Sequence, residues 1–173
     1  MCMRFDFVRN LIARHSRLCK IVLTVIWVLG FFCGISGAAC ADIPVALMRT
    51  CCEPGVSIVG LFLVPLFPFL ISAVAVYCSA PLILYLTGFC KSFLLGFFSC
   101  AVCSAFSGGG WLICLLLMFT DFFTAPAVLW FQLRQMNFCG KPDFRSGVFT
   151  LLWFAAISAV DYFCILPLLR EII

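Results

Sequence analysis

One long apolar stretch constrains this chain more than any other feature, because it carries a lysine near its middle. Residues 79–106 read SAPLILYLTGFCKSFLLGFFSCAVCSAF, and Lys91 is the single charged side chain among them. A stretch of this length can cross a bilayer as one helix. A charge at the bilayer centre costs about 3 kcal/mol on insertion scales. We therefore expect Lys91 to face protein or water, and the stretch to lie inside a bundle of helices.

Small residues recur every four positions in two of the apolar stretches. Residues four apart lie on one face of a helix, and small side chains there allow two backbones to approach closely. The pattern predicts five helix-packing residues, which are Gly30, Gly34, Gly88, Ser92 and Gly96.

The composition excludes a water-soluble globular protein. Hydrophobic residues make up 65% of the chain and charged residues 10%, and the mean hydropathy is +1.23. Such values are typical of membrane proteins. We predict an all-α fold, a polytopic integral membrane helical bundle with about five transmembrane helices. The predicted spans are residues 21–39, 56–77, 79–106, 111–131 and 147–169.

Two alternatives for these spans are compatible with the sequence. The basic arm, the first apolar run and the small residues 37–40 resemble a secretory or lipoprotein signal, so the first span could be cleaved. The central stretch could also break at Gly88 into a re-entrant element, which would leave four full spans. The main prediction is a basic cytoplasmic tail over residues 1–20 and a single transmembrane domain over residues 21–173.

Basic residues predict the orientation of the chain. Five precede the first span and three lie between the last two spans, and cytoplasmic loops carry an excess of Lys and Arg. These residues are Arg4, Arg9, Arg14, Arg17, Lys20, Arg134, Lys141 and Arg145. We therefore expect a multi-pass protein of the cell membrane with a cytoplasmic N-terminus. The short basic arm lacks the folded, aromatic-bearing face of a nucleic-acid site, so no nucleic-acid partner is expected.

Three charged residues fall inside predicted spans, namely Lys91, Asp121 and Asp161. Counted from the external ends of their spans, they lie roughly 22, 15 and 12 Å deep at the rise of an α-helix. The flexible lysine stem can cover much of the difference. We predict that the three residues form an intramembrane charge cluster. In the alternative arrangement, each charge lines its own wet crevice.

No enzymatic chemistry is predicted. Intramembrane aspartyl proteases use paired carboxylates, and they place a glycine beside each catalytic acid. Here Asp121 lies in Thr-Asp-Phe-Phe and Asp161 in Val-Asp-Tyr-Phe. Cys100 and Cys103 form a CxxC pair, but a structural zinc site needs a second pair of ligands. We expect no catalytic residue, no cofactor and no metal.

The central helix carries a resemblance to a known family. Lys91, Phe93, Leu95, Gly96 and Phe97 match the Lys-x-Phe-x-Leu-Gly-Phe pattern of the stage II sporulation protein M family. The resemblance implies a non-enzymatic membrane scaffold that positions peptidoglycan-degrading partners during endospore engulfment. Its expected partners are the lipid bilayer, peptidoglycan hydrolases and other sporulation membrane proteins, with homo- or hetero-oligomers compatible with the sequence. The alternative function is a small membrane transporter or channel component that uses the Lys/Asp cluster.

Overall fold

The regular structure of the described residues is entirely helical. The structure, a computed structural model, describes residues 16–41, 58–78, 80–105, 110–135 and 143–168. These ranges hold six α-helices, which are α1 (Ser16–Cys40), α2 (Ile58–Tyr77), α3 (Pro81–Ala105), α4 (Gly110–Leu117), α5 (Phe119–Gln135) and α6 (Phe144–Val160). A π-helical turn, Asp161–Ile165, continues α6 to residue 168. Most of the predicted tail, residues 1–15, lies outside the described residues.

Local hydrogen bonds join α2 to α3 in a tight turn. The backbone N–H of Cys78 donates to the Val74 carbonyl, and that of Ala80 donates to the Ala75 carbonyl, both at 2.8 Å. Pro81 then begins α3, at a position where a missing backbone N–H costs no helical hydrogen bond. The helix continues through Gly88 to Ala105. The alternative in which the central stretch breaks at Gly88 is therefore wrong.

Helices α1 and α3 pack side by side in the same direction. Trp27 of α1 lies against Gly88 of α3, and Gly34 of α1 lies against Phe97 of α3, so the residue numbers of the contacts rise together. In a chain whose successive helices alternate in direction, the first and the third helix run parallel, as α1 and α3 do. The structure thus places the two small-residue ridges against each other.

The glycines of this pair are needed because the backbones touch. A Cβ at Gly34 would stand 2.8 Å from the backbone nitrogen of Phe97 and closer still to the Phe93 carbonyl oxygen. A Cβ at Gly96 would stand 3.0 Å from the Phe31 carbonyl carbon and closer still to its oxygen. Any larger residue would force the two helices apart, and close packing is the main attraction between helices in lipid.

A core of aromatic and aliphatic side chains holds the other helices to this pair. The Phe69 ring of α2 lies 4.7 Å from the Phe131 ring of α5 and 5.8 Å from the Phe154 ring of α6, centroid to centroid. Leu23 and Val128 are fully buried in the same cluster. Aromatic pairs in tilted or edge-to-face arrangements add to the free energy of burial. Helices α1, α2, α5 and α6 therefore converge on one core.

The surface of the bundle is apolar, and several of its helices could cross a membrane. Helix α1, helix α3 and helix α6 with its extension are long and apolar enough to do so. The bent pair α4 and α5 makes a fourth candidate, and residues 63–77 of α2 form a shorter apolar helix. Large side chains such as Phe67, Leu82 and Phe163 are more than two-thirds exposed. Such a surface is consistent with a membrane protein.

The fourth predicted span is not one continuous helix. Residues 111–131 were predicted to cross as a unit, but α4 and α5 meet at Met118 with a bend of 62°. The backbone bonds from Met118 to Cys114 and from Phe122 to Met118 persist across the bend, at 2.9 Å each. The bend directs Thr120 and Asp121 into the bundle, where both form polar contacts with other helices. The apolar run before Met118 carries no glycine or proline that would signal such a break.

Candidate functional site

The centre of the bundle contains an ion pair between α3 and α5. Lys91 precedes the α1-facing Ser92 by one residue, which turns its side chain roughly 100° away from Ser92 around the helix axis. Its Nζ contacts Oδ1 of Asp121. The Lys91 side chain is 9% exposed and that of Asp121 is 25% exposed. Pairing offsets part of the cost of removing both charges from water.

The third predicted member of the charge cluster has a different partner. Asp161 is buried, and its Oδ2 accepts a hydrogen bond from the Thr120 hydroxyl. Thr120 directly precedes Asp121 in α5, so the two polar contacts are neighbours along one helix. The structure therefore brings Lys91 and Asp121 together, whereas Asp161 binds the adjacent threonine.

A π-helical turn begins at Asp161 and sets its position. The five residues Asp161–Ile165 form wider turns than the rest of α6. Single π-helical turns inside α-helices occur frequently at functional sites. Threonine 120 was not predicted as a site residue, because a lone threonine in an apolar span is common and bonds equally well to its own helix.

A second polar cluster ties three helices together, and it was not predicted from the sequence. The Trp27 indole N–H donates to Gln132 Oε1 at 3.0 Å, and Gln132 Nε2 donates to Ser72 Oγ at 2.8 Å. Ser72 donates in turn to the Pro68 carbonyl at 2.8 Å. Gln132 is fully buried. In the sequence, Gln132 lies four residues after Val128 on one helical face, just beyond the predicted end of the fourth span at residue 131.

The connection between α5 and α6 is held by a network around Asp143. Its backbone N–H donates to Gln135 Oε1 at 3.0 Å, and its side chain caps α6 by accepting from the backbone N–H of Arg145 at 3.2 Å. Arg134 Nε donates to Asp143 Oδ2 at 2.7 Å. Desolvation raises the pKa of Asp143, but the hydrogen bond and the charge of Arg134 outweigh it and lower the pKa below the ordinary value. Asp143 is thus ionised at neutral pH and fixes the start of α6.

An apolar cavity adjoins the ion pair. Its volume is about 430 Å³, and it lies between α2 and α3. Its walls include Phe67, Ile71 and Leu94, and both Lys91 and Asp121 reach its lining. Phe67 is 69% exposed and Leu94 is 49% exposed. The cavity therefore opens at the outer surface of the bundle and ends at two charged groups.

The residues of the family-like pattern have identifiable packing roles. Lys91 forms the ion pair, and Gly96 lies against the backbone of α1. Phe93 and Phe97 stack on each other at 6.1 Å between ring centroids, and both also contact the glycine face of α1. Leu95 packs against the main core. The pattern therefore gives α3 one face that packs against α1 and one charged residue that binds α5.

The chemistry of these clusters is that of neutralised, hydrogen-bonded groups. Within the described ranges, no three His, Cys, Asp or Glu side chains are grouped as metal ligands. Cys103 of the CxxC pair lies beside Cys114 of α4. The arrangement can hold helices in fixed positions and can offer a lysine ammonium to the cavity.

No family model, no curated protein and no solved structure matches this chain.

Proposed function

We propose that this chain is a five-pass integral membrane protein that acts as a non-enzymatic scaffold. The N-terminus lies in the cytoplasm, and α1, α2, α3, the bent pair of α4 and α5, and α6 make the five passes. The directions of contacting helices support this: α1 and α3 are parallel. Helix α5 runs against α3, because Gln132 approaches Gly88 and Asp121 contacts Lys91 further along α3. Such alternation is what successive passes require.

The use of buried polar groups to link helices is the observation that supports a scaffold. Lys91 is bonded to Asp121, Thr120 to Asp161, and Gln132 to both Trp27 and Ser72, so each bond joins two different helices. A pathway for ions or protons needs polar groups that exchange partners with water or with the substrate. Groups that bind each other instead give a rigid bundle, which is a platform for other proteins.

The proposed class of partner follows from residues 91–97, which resemble the pattern of the stage II sporulation protein M family. On this proposal, the scaffold positions peptidoglycan hydrolases and other sporulation membrane proteins during engulfment, as a homo- or hetero-oligomer. The packing roles of Lys91, Phe93, Gly96 and Phe97 support the motif as a structural unit.

Deletion of the coding sequence in a spore-forming host tests this function. The expected result is a block in engulfment with a septum that is not thinned, and complementation by the intact chain should restore both. Complementation by a Gly96→Leu variant, which cannot pack α3 against α1, should fail. Normal engulfment and septal thinning in the deletion strain would rule out the sporulation role.

A second candidate, a transporter or channel component, is favoured by one observation. The cavity of about 430 Å³ brings the surface of the bundle into contact with Lys91 and Asp121. Intramembrane ionisable residues mark substrate or ion pathways in many membrane proteins. Purified protein in liposomes tests this candidate through flux of protons, cations and small solutes, and the absence of flux above protein-free liposomes would exclude it.

A further inference from the structure

We infer that the cavity between α2 and α3 binds a lipid-soluble ligand, namely an apolar body that bears a neutral carbonyl group. The inference deepens the proposed function and rests on its membrane insertion. The ligand would enter from the bilayer and place its carbonyl oxygen at the ammonium group of Lys91. Three observations support it: the size and lining of the cavity, the hydrogen-bonding state of Lys91, and the charge balance around it.

The cavity has the dimensions and walls of a ligand site. Ligand pockets in proteins range from about 300 to 1,000 Å³ and are mostly apolar with a few polar groups that fix orientation. This cavity measures about 430 Å³, and its lining is apolar apart from a small number of groups around Lys91 and Asp121. Its outer residues include Phe67 and Leu86, which are 69% and 63% exposed. In a bilayer, this opening would face acyl chains rather than water.

Lys91 offers hydrogen-bond donors to this cavity. An ammonium group has three N–H donors and no acceptor. Among the residues that the structure describes, the hydrogen bond of Lys91 goes to Oδ1 of Asp121. That bond uses one of the three donors and leaves the others for an acceptor in the cavity. The hydroxyl of Thr87 also lines the cavity, but it donates to the Ile83 carbonyl of its own helix at 2.7 Å. Lys91 is therefore the donor that a ligand carbonyl can satisfy.

The charge balance selects a neutral acceptor. Lys91 and Asp121 neutralise each other, and a second carboxyl group, that of Asp161, is bonded to the adjacent Thr120. A carboxylate ligand would add a negative charge that no described cation compensates, at a high desolvation cost. A hydrocarbon of the same shape would fill the cavity but would offer no acceptor to the remaining N–H groups of Lys91. A ketone or ester carbonyl meets both conditions.

Photolabelling with benzophenone tests the inference, because benzophenone is itself an apolar ketone that forms covalent adducts on illumination. The full chain is reconstituted in lipid nanodiscs and labelled, and mass spectrometry locates the adducts. We expect adducts on the cavity-lining segments of α2 and α3. A long-chain ketone should compete at least about tenfold better than the alkane or the carboxylate of equal length, the size of one hydrogen bond to a charged group.

Three variants make the test specific. Lys91→Met/Asp121→Leu removes both charges together and should abolish the preference for the ketone over the alkane. Leu94→Trp fills the cavity and should abolish labelling with the ion pair intact. Leu29→Ala alters an exposed side chain of α1 that is outside the cavity lining, and it should leave labelling unchanged.

Two results would overturn the inference. Equal competition by ketone and alkane in the unaltered chain would mean that acyl chains merely fill the cavity. A preference that survives Lys91→Met/Asp121→Leu would place the carbonyl elsewhere. Either result would leave the membrane scaffold unaffected. Extraction of the chain from native membranes by alkaline carbonate would refute the membrane insertion itself, and the ligand inference with it.

Discussion

Removing the charges of Lys91 and Asp121 singly and together tests whether they form a buried, energetically coupled pair. Lys91→Met leaves Asp121 without its cation, Asp121→Leu leaves Lys91 without its anion, and the double variant leaves neither charge. Breaking a buried ion pair by removing one partner costs about 3–5 kcal/mol, whereas replacing both by apolar residues of similar volume is often neutral. We therefore expect two harmful single substitutions and a nearly harmless double substitution.

The solvent exposure of each side chain sets the size of each effect. Asp121 is 25% exposed and Lys91 is 9% exposed, so an unpaired Asp121 retains more solvent contact. We expect the free energy of unfolding to fall by roughly 3 kcal/mol in Lys91→Met and roughly 4 kcal/mol in Asp121→Leu.

Equilibrium unfolding in mixed micelles at pH 7 supplies the measurement, arranged as a double-mutant cycle. The double variant should lie within about 1 kcal/mol of the unaltered chain. Arg134 and Asp143, an ion pair at the surface, provide the matched control and should show a much smaller coupling energy. The reasoning is refuted if the single substitutions are harmless or if the double substitution equals their sum.

Three further predictions concern packing, pH and topology. Gly96→Ala should lower the free energy of unfolding by about 1–3 kcal/mol through overpacking. Gly37→Ala, where a Cβ would be 3.6 Å from its nearest neighbour, should not lower it. Equal effects of the two substitutions in unfolding assays would contradict the close approach of α1 and α3. Desolvation raises the pKa of Asp143 in the folded state, but the hydrogen bond and the charge of Arg134 lower it below the ordinary value. The stability that ionised Asp143 adds to the fold is therefore present above the ordinary aspartate pKa and is lost as pH falls through the lowered value. Thermal unfolding between pH 6 and pH 2, compared with Asp143→Asn, should show this loss only in the unaltered chain, and a parallel decline in both would contradict it. A cysteine in place of Lys141, in a cysteine-free background, should resist an impermeant external reagent in intact cells; labelling there would reverse the proposed orientation.

Part of the site could be anticipated because burying a charge is so costly. Lys91 lies far from both ends of an apolar stretch, so the side chain needed a protein partner, and the rise per residue brought Asp121 within its reach. The same reasoning grouped Asp161 with them, and the structure places Asp161 next to this pair. Its direct partner is Thr120, the residue before Asp121, because depth along a helix does not define rotation about its axis.

Other features were beyond reach of the sequence because they depend on which helix faces which. The Trp27, Gln132 and Ser72 cluster joins residues 60 and 105 positions apart. No local pattern specifies such a pairing, since helices that are apolar on all sides do not indicate a preferred partner. The cavity beside Lys91 likewise requires the exact separation of α2 and α3.

The amino-acid sequence specifies an all-helical chain whose apolar runs are consistent with a membrane protein, because in a bilayer such runs can satisfy their backbone groups as helices. It also determined where backbones can touch, since only small residues such as Gly34 and Gly96 permit that distance. The folded structure shows that α1 and α3 are the helices that touch, that the chain bends at Met118, and that Lys91 binds Asp121. These outcomes depend on helix rotation and on packing between distant segments, and both emerge only when all the helices are assembled.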